Sequence, residues 1–284
     1  MKLSVTSYSF GSYIDEDKLG LMGIIDKAAE LGFDGIEFAD GGWSKNLDLN
    51  LAQKIKEHCA EKNLEVVAYC VGANFLGDFD EEVARTKRNV DFAAAMGAKN
   101  MRHDVAYGFP ADRKYSIGYD DALPIIAKGV LEVTKYAEQK GVGTMTENHG
   151  YFSQDCARVE KLINTVAHPN FGALVDVGNF MCADEDPVKS VGIMAPYAKH
   201  VHAKDFHWKS GMDVNPGEGW FRTRAMNYIR GAIIGQGEAK VYQSIQILKS
   251  KGYDGYVTVE FEGMEDNLKG IRIGKDNLAR FING

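Results

Sequence analysis

Leu64-Glu-Val-Val-Ala-Tyr-Cys-Val71, the helical stretch Glu81–Met96 with Gly97, and then Asn100-Met-Arg-His103 decide how the chain is read. Val66-Val67-Ala68-Tyr69 is a short apolar run of the kind found in strands buried on both faces. Gly97 stops the helix, and the chain turns extended again at once. Strand, helix and second strand make a βαβ unit, whose two strands run parallel.

The rhythm continues on both sides of this unit. Upstream, Leu3–Phe10 reads as a strand, Leu19–Leu31 as a helix with Leu21, Ile24, Ile25, Ala28 and Leu31 at three- and four-residue spacing, Gly35–Phe38 as a strand and Leu51–Lys62 as a helix. Downstream, helices are expected at Asp121–Lys140, Cys156–Val166, Val188–Pro196, Val241–Lys251 and Asn267–Ile282. Strands are expected at Gly143–Glu147, Gly172–Val177, Lys199–Lys204 and Tyr256–Glu262. Eight strands alternating with about eight helices call for a parallel sheet covered by helices. A doubly wound open sheet satisfies the alternation, but the count and the length match a closed (β/α)8 TIM barrel better. No Pro- or Ser-rich linker divides residues 1–284, so the expectation is one barrel domain. No Gly-x-Gly-x-x-Gly follows the first strand, so no nucleotide cofactor is expected.

The composition is that of a globular chain: 284 residues, 45% hydrophobic and 26% charged. A net charge of −7 speaks against non-specific binding to nucleic acid or to an anionic membrane. No apolar run is long enough to span a bilayer, and the first ten residues alternate rather than forming a signal-peptide core. Cys59, Cys70, Cys156 and Cys182 lack close ligand spacing and read as reduced thiols, which gives a cytoplasmic expectation. One connection, Phe206–Ala239, is far longer than the usual two to six residues. It contains Asn215-Pro-Gly-Glu-Gly-Trp220, Arg222, Arg224 and Arg230. Either it covers an active site, or it is a homo-oligomer or partner-subunit contact or a solvated surface excursion. The arginines invite a phosphate reading, but no phosphate-cradling glycine loop supports it.

Four strands end on metal-binding side chains: Met145-Thr-Glu147, Leu174-Val-Asp176, His200-Val-His202 and Thr258-Val-Glu260. Residues two apart on a strand share a face, and barrel active sites lie beyond the strands' carboxyl ends. Singly, a carboxylate there is more often a helix cap or ion-pair member, and a strand histidine more often a packing residue. Together the four would bring three carboxylates and one imidazole to one spot. Three ionised carboxylates repel one another unless a cation sits between them. One divalent ion resolves the conflict. The thiolate-free donor set fits Mn²⁺ first, with Mg²⁺, Co²⁺ or Zn²⁺ as alternatives.

This pattern resembles the xylose-isomerase-like barrels of the sugar phosphate isomerase/epimerase superfamily, relatives of ketose 3-epimerases and inosose dehydratases. Gly32-Phe-Asp-Gly-Ile-Glu37, Thr146-Glu-Asn-His-Gly150, Val175-Asp-Val-Gly-Asn179, His200-Val-His-Ala-Lys-Asp205 and Gly252-Tyr-Asp-Gly-Tyr-Val-Thr-Val-Glu260 carry the likeness, which runs along essentially the whole chain. The resemblance implies the closed barrel and a divalent ion bound by Glu147, Asp176, His202 and Glu260. In the related ketose 3-epimerases the two glutamates also exchange protons with substrate on opposite faces, which makes Glu147 and Glu260 the implied catalytic pair. Asn179 stands where those enzymes have a substrate-binding histidine, and Trp208 lies near the place of their arginine.

The chemistry can also be argued from the residues. A metal that chelates a carbonyl and an adjacent hydroxyl acidifies the neighbouring C–H and stabilises the enediolate left by proton removal. One carboxylate can take that proton and a second can return one. Return to the same carbon is epimerisation, return to its neighbour is isomerisation, and loss of a β-substituent is elimination. Around this core, Glu37 and His103 are expected to face substrate hydroxyls, with a structural salt bridge as the alternative for Glu37. Lys204 binds an anionic or hydroxyl group or balances Glu147 or Asp176. His149 acts as a base or steers a hydroxyl. The leading expectation is therefore a metal-dependent isomerase or epimerase of a small sugar or sugar derivative. The alternatives are a lyase or dehydratase of a keto-sugar, keto-inositol or 3-keto-glycoside, or a non-catalytic subunit. An endonuclease with a three-metal cluster is poorly supported by seven histidines and the acidic charge.

Overall fold

The computed structural model describes residues 1–284. Eight strands close into a parallel barrel: β1 (Lys2–Thr6), β2 (Gly35–Ala39), β3 (Glu65–Val71), β4 (Asn100–His103), β5 (Gly143–Glu147), β6 (Phe171–Asp176), β7 (Ala198–Ala203) and, after three strands of a separate small sheet, β11 (Tyr256–Val259). The helices between them are α1 (Gly20–Glu30), α2 (Leu49–Glu61), α3 (Phe79–Met96), α4 (Tyr119–Gln139), α5 (Cys156–Val166), α6 (Pro187–Met194), α7 (Val241–Ser250) and α8 (Asn267–Asn283). The expected (β/α)8 TIM barrel is thus the observed fold. Closure is made by β1, which pairs with β11 through Ser4 opposite Thr258 and with β2 through Ser4 opposite Gly35.

Local chemistry sets the helix ends. The Asp78 side chain accepts the Glu81 N–H at 3.2 Å to start α3, and Gly97 ends it in the left-handed region at φ 77°. Asp266 caps α8 in the same way through the Lys269 N–H. Strand alternation then sorts the side chains. Val5, Ile36, Val175, Val201, Val257 and Val259 join the helices' apolar faces in the main core. A small separate cluster of Ala68, Cys70, Met145 and Leu174 lies within the barrel. The rest of the barrel interior is largely polar, unlike the branched apolar filling usual for this fold. No helix is long and apolar enough to cross a membrane, and all four cysteines are buried and unpaired.

Two elements differ from the sequence reading. The first strand ends at Thr6 rather than Phe10, and Ser7–Ile14 is a 3₁₀ segment. Its hydroxyls take over ladder positions: Ser7 Oγ accepts from the Ala39 N–H at 2.9 Å and Ser9 Oγ from the Phe261 N–H at 2.8 Å. The long segment after β7 is not irregular. It contains the antiparallel sheet of β8 (Asp205–Lys209), β9 (Phe221–Arg222) and β10 (Tyr228–Ala232), with β10 in the middle. The buried Asp205 carboxylate closes its base by accepting N–H groups from Phe206, Gly235, Gly237 and Ala239 at 2.8–3.0 Å. The sheet rests on the loops after β5 and β6, where Tyr151 donates to the Arg222 carbonyl and Thr223 to Asp184, both at 2.7 Å.

Candidate active site

A cavity of about 260 Å³ opens at the carboxyl end of the barrel, with Glu147, His202 and Glu260 at its floor and Tyr8, His149 and Glu262 nearer its mouth. No side chain from 206–239 lines it, so the long segment flanks the mouth rather than covering it. A second cavity of about 400 Å³ beside Gly41–Lys45 and Arg85 holds none of the four strand-end residues.

The barrel brings Glu147, Asp176, His202 and Glu260 together: one ligand atom from each lies within 4.8 Å of the others. His202 Nδ1 is 2.7 Å from Glu260 Oε2, 3.7 Å from Asp176 Oδ2 and 3.9 Å from Glu147 Oε1. Glu260 follows β11 directly and extends its ladder, its N–H reaching the Ala203 carbonyl at 3.1 Å. Asp176 Oδ2 is fully buried and has no hydrogen-bond partner. A buried acceptor without a hydrogen bond, with the Lys204 ammonium 3.4 Å away, is free to ligate an ion. Oxygen-rich donors around one imidazole are the right chemistry for a divalent ion of the Mn²⁺ or Mg²⁺ type, so these residues fit the metal that the sequence implied.

The electrostatics agree with that fit. Burial pushes the Asp176 carboxyl up to about 6 against the pull of Lys204, and the neighbouring Glu260 and Glu147 add to the rise. Burial also raises Glu260, but Lys204 and His202 outweigh it and hold this carboxyl well below the usual range. The Lys204 ammonium lies 3.2 Å from Glu260, 3.4 Å from Asp176 and 3.7 Å from Glu262. It is thus a counter-charge to Asp176 and Glu260 rather than to Glu147.

Asn179 bridges the two sides of the site. Its Nδ2 donates to Glu147 Oε1 at 2.8 Å and its Oδ1 accepts from Lys204 at 3.2 Å. Glu37 is 1% exposed and accepts from His202 Nε2 at 2.8 Å, which is the salt-bridge arrangement. His149 stands at the mouth with Nδ1 3.0 Å from Asp104 Oδ1. Burial lowers its basicity, but Asp104 reverses the sign and leaves it raised.

His103 is the residue that the structure does not bring in. It shares the outward phase of Met101, and its ring packs against Phe75 and Phe171, with centroids 5.8 and 6.3 Å away. The expectation that it faces substrate is therefore corrected. The inward residue of β4 is Arg102, opposite Cys70 and Met145 in register. Its guanidinium lies 2.6 Å from Glu147 Oε2 and 2.9 Å from Asp104 Oδ1. Sequence reasoning also passed over Asp104, Tyr8 and Glu262. Only Glu262 carried a signal, being two residues beyond Glu260 and so in phase with it.

Residues 25–281 match the family model of the xylose isomerase-like TIM barrel. The chain belongs to that family. Among curated relatives, the uncharacterised protein YfiH of Bacillus subtilis (strain 168) is 26% identical, covering 99% of both chains. Inosose dehydratase 1 of Bacillus cereus is also 26% identical, over 84% of this chain and 80% of that one. In structure, D-psicose 3-epimerase from Clostridium cellulolyticum H10 superposes with a TM-score of 0.76 at 15% identity, covering 99% of each chain. That superposition shows the barrel fold.

Proposed function

We propose that this chain is a divalent-metal-dependent isomerase or epimerase of a small sugar or sugar derivative, acting by proton removal next to a carbonyl. The convergence of Glu147, Asp176, His202 and Glu260 within 4.8 Å at the carboxyl end of the barrel carries the proposal. The likeness to an inosose dehydratase and to a D-psicose 3-epimerase supports the substrate class. In this reading those four residues hold the ion. When bound, it supplies positive charge to the substrate's carbonyl and adjacent hydroxyl oxygens and so acidifies the neighbouring C–H.

The protein's own groups do the rest. Glu147, fixed through one oxygen by Arg102 and through the other by Asn179, takes the proton from the carbon next to the carbonyl. Glu260, held by Lys204 and separated from Glu147 by β6 and β7, returns a proton from the other side. A cavity of about 260 Å³ is at the small end of ligand sites and suits a single sugar ring. The test is a screen of ketoses, keto-cyclitols and oxidised sugars in D₂O with the Mn²⁺-loaded protein. Deuterium entering a carbon next to the carbonyl supports the proposal. Its absence across the panel counts heavily against it.

One observation favours elimination as the second reading. The His149–Asp104 pair at the mouth places a proton donor above the carboxylates, where it can protonate a departing β-hydroxyl. Product analysis separates the two: loss of water or of an aglycone with no epimer indicates a lyase.

A further inference from the structure

Four adjacent strands, in the order β7, β11, β1 and β2, carry an unbroken line of polar groups through the barrel interior. Ser4 Oγ lies 2.6 Å from Thr258 Oγ1, and Thr258 Oγ1 lies 2.7 Å from His200 Nε2. That same nitrogen is 3.1 Å from Glu37 Oε2, and Glu37 Oε2 is 2.8 Å from His202 Nε2. All five residues are buried. A carboxylate accepts only, so His202 presents Nε2–H to Glu37, while His200 Nε2 is hydrogen-bonded to Thr258 Oγ1 and lies 3.1 Å from Glu37.

The geometry points to Glu37 as a positioning residue for the metal centre: together with His200 it fixes His202 as the Nε2–H tautomer, leaving Nδ1 as the ligand atom. This rests on the metal-site reading above and goes beyond it, because Glu37 and His200 contribute no ligand to the ion. Three relationships support it. His202 turns Nδ1 towards Glu260, Asp176 and Glu147, and turns its other nitrogen to Glu37. Glu37 lines the cavity yet is buried, and its Oε2 lies within 3.1 Å of Nε2 of both imidazoles. His200 stands outside the group of Glu147, Asp176, His202 and Glu260, with its Nε2 2.7 Å from Thr258 Oγ1 and 3.1 Å from Glu37 Oε2. Partners of this kind set ring orientation and raise ligand basicity, and their loss typically costs 10- to 100-fold in metal affinity.

The experiment titrates Mn²⁺ into the metal-stripped full chain and into Glu37→Gln. An Mn²⁺ dissociation constant raised about 10- to 100-fold in the variant is expected. Wild-type affinity in a folded variant overturns the inference while leaving the metal centre standing. Wild-type protein that binds no Mn²⁺ overturns the metal centre and the inference with it. Should Glu37→Gln not fold, the imidazole ¹H–¹⁵N spectrum of the Zn²⁺-loaded wild type decides. His202 protonated on Nε2 with the metal on Nδ1 supports the assignment, and the reverse arrangement overturns it.

Discussion

The side-chain amide of Asn148 and the backbone of Asp176 exchange two hydrogen bonds, Nδ2 to the Asp176 carbonyl and the Asp176 N–H to Oδ1, each 2.9 Å long. The β5–β6 ladder ends at Glu147 opposite Leu174, so this amide adds one more rung made from a side chain. It couples the two strand ends that carry Glu147 and Asp176.

Replacing Asn148 with Ala removes both bonds and leaves a buried N–H and a buried carbonyl unpaired. A loss of roughly 2–4 kcal/mol of stability follows, read from urea unfolding. Asn148→Asp keeps only the acceptor and should fall between wild type and Ala. A variant within about 0.5 kcal/mol of wild type would show that the rung does not tie the strand ends together.

Glu147→Gln and Glu260→Gln each lose a proton-transfer group and a metal-binding charge. Turnover and solvent deuterium exchange should fall by about 10²- to 10⁴-fold or more on any sugar that the wild type labels. Activity unchanged in both variants would remove these residues from the reaction.

His103 predicts an acid-side instability that is independent of the metal site. Burial lowers its pKa to about 4 against an ordinary value of 6.5, so the ring is neutral in the fold. Between those values the unfolded chain binds more protons, so stability rises with pH. The contribution is complete above about pH 6.5 and is lost as pH falls towards 4, amounting to roughly 3 kcal/mol. Unfolding free energies at pH 7, 5.5 and 4.5 check this. His103→Phe should flatten that part of the profile, and an unchanged slope would contradict the assignment.

The same residue shows where the sequence was readable and where it was not. Glu147, Asp176 and His202 each close a strand in Met145-Thr-Glu147, Leu174-Val-Asp176 and His200-Val-His202, so strand alternation and the terminal position together were enough to bring them to one rim. On β4, only four residues long, composition cannot say which alternate set faces inward. Histidine looked like the chemical residue, yet its ring packs between Phe75 and Phe171 and the inward place went to Arg102. A cation next to Glu147 makes sense only once β5 and β4 are known to be neighbours. The Asn148 rung and the Asp205 clamp were hidden for a related reason: each depends on backbone groups far away in the chain. At the amino terminus, β-branched and aromatic residues imitate a longer strand, while the hydroxyls of Ser7 and Ser9 are what end it.

His149→Gln separates the two reaction readings. The change removes the protonatable ring but keeps its polarity at the cavity mouth. Under elimination, product formation should drop about 10²-fold or more while deuterium exchange persists. Under epimerisation, both should stay within a few-fold of wild type.

Metal stoichiometry tests most directly whether Glu147, Asp176, His202 and Glu260 hold a divalent ion. After chelation and reloading with Mn²⁺, elemental mass spectrometry of the dialysed protein should find about one ion per chain. His202→Ala should lose it and regain it only in excess Mn²⁺. Correctly folded wild-type protein that retains no ion, or a His202→Ala variant that retains it as tightly, would contradict the assignment of the site.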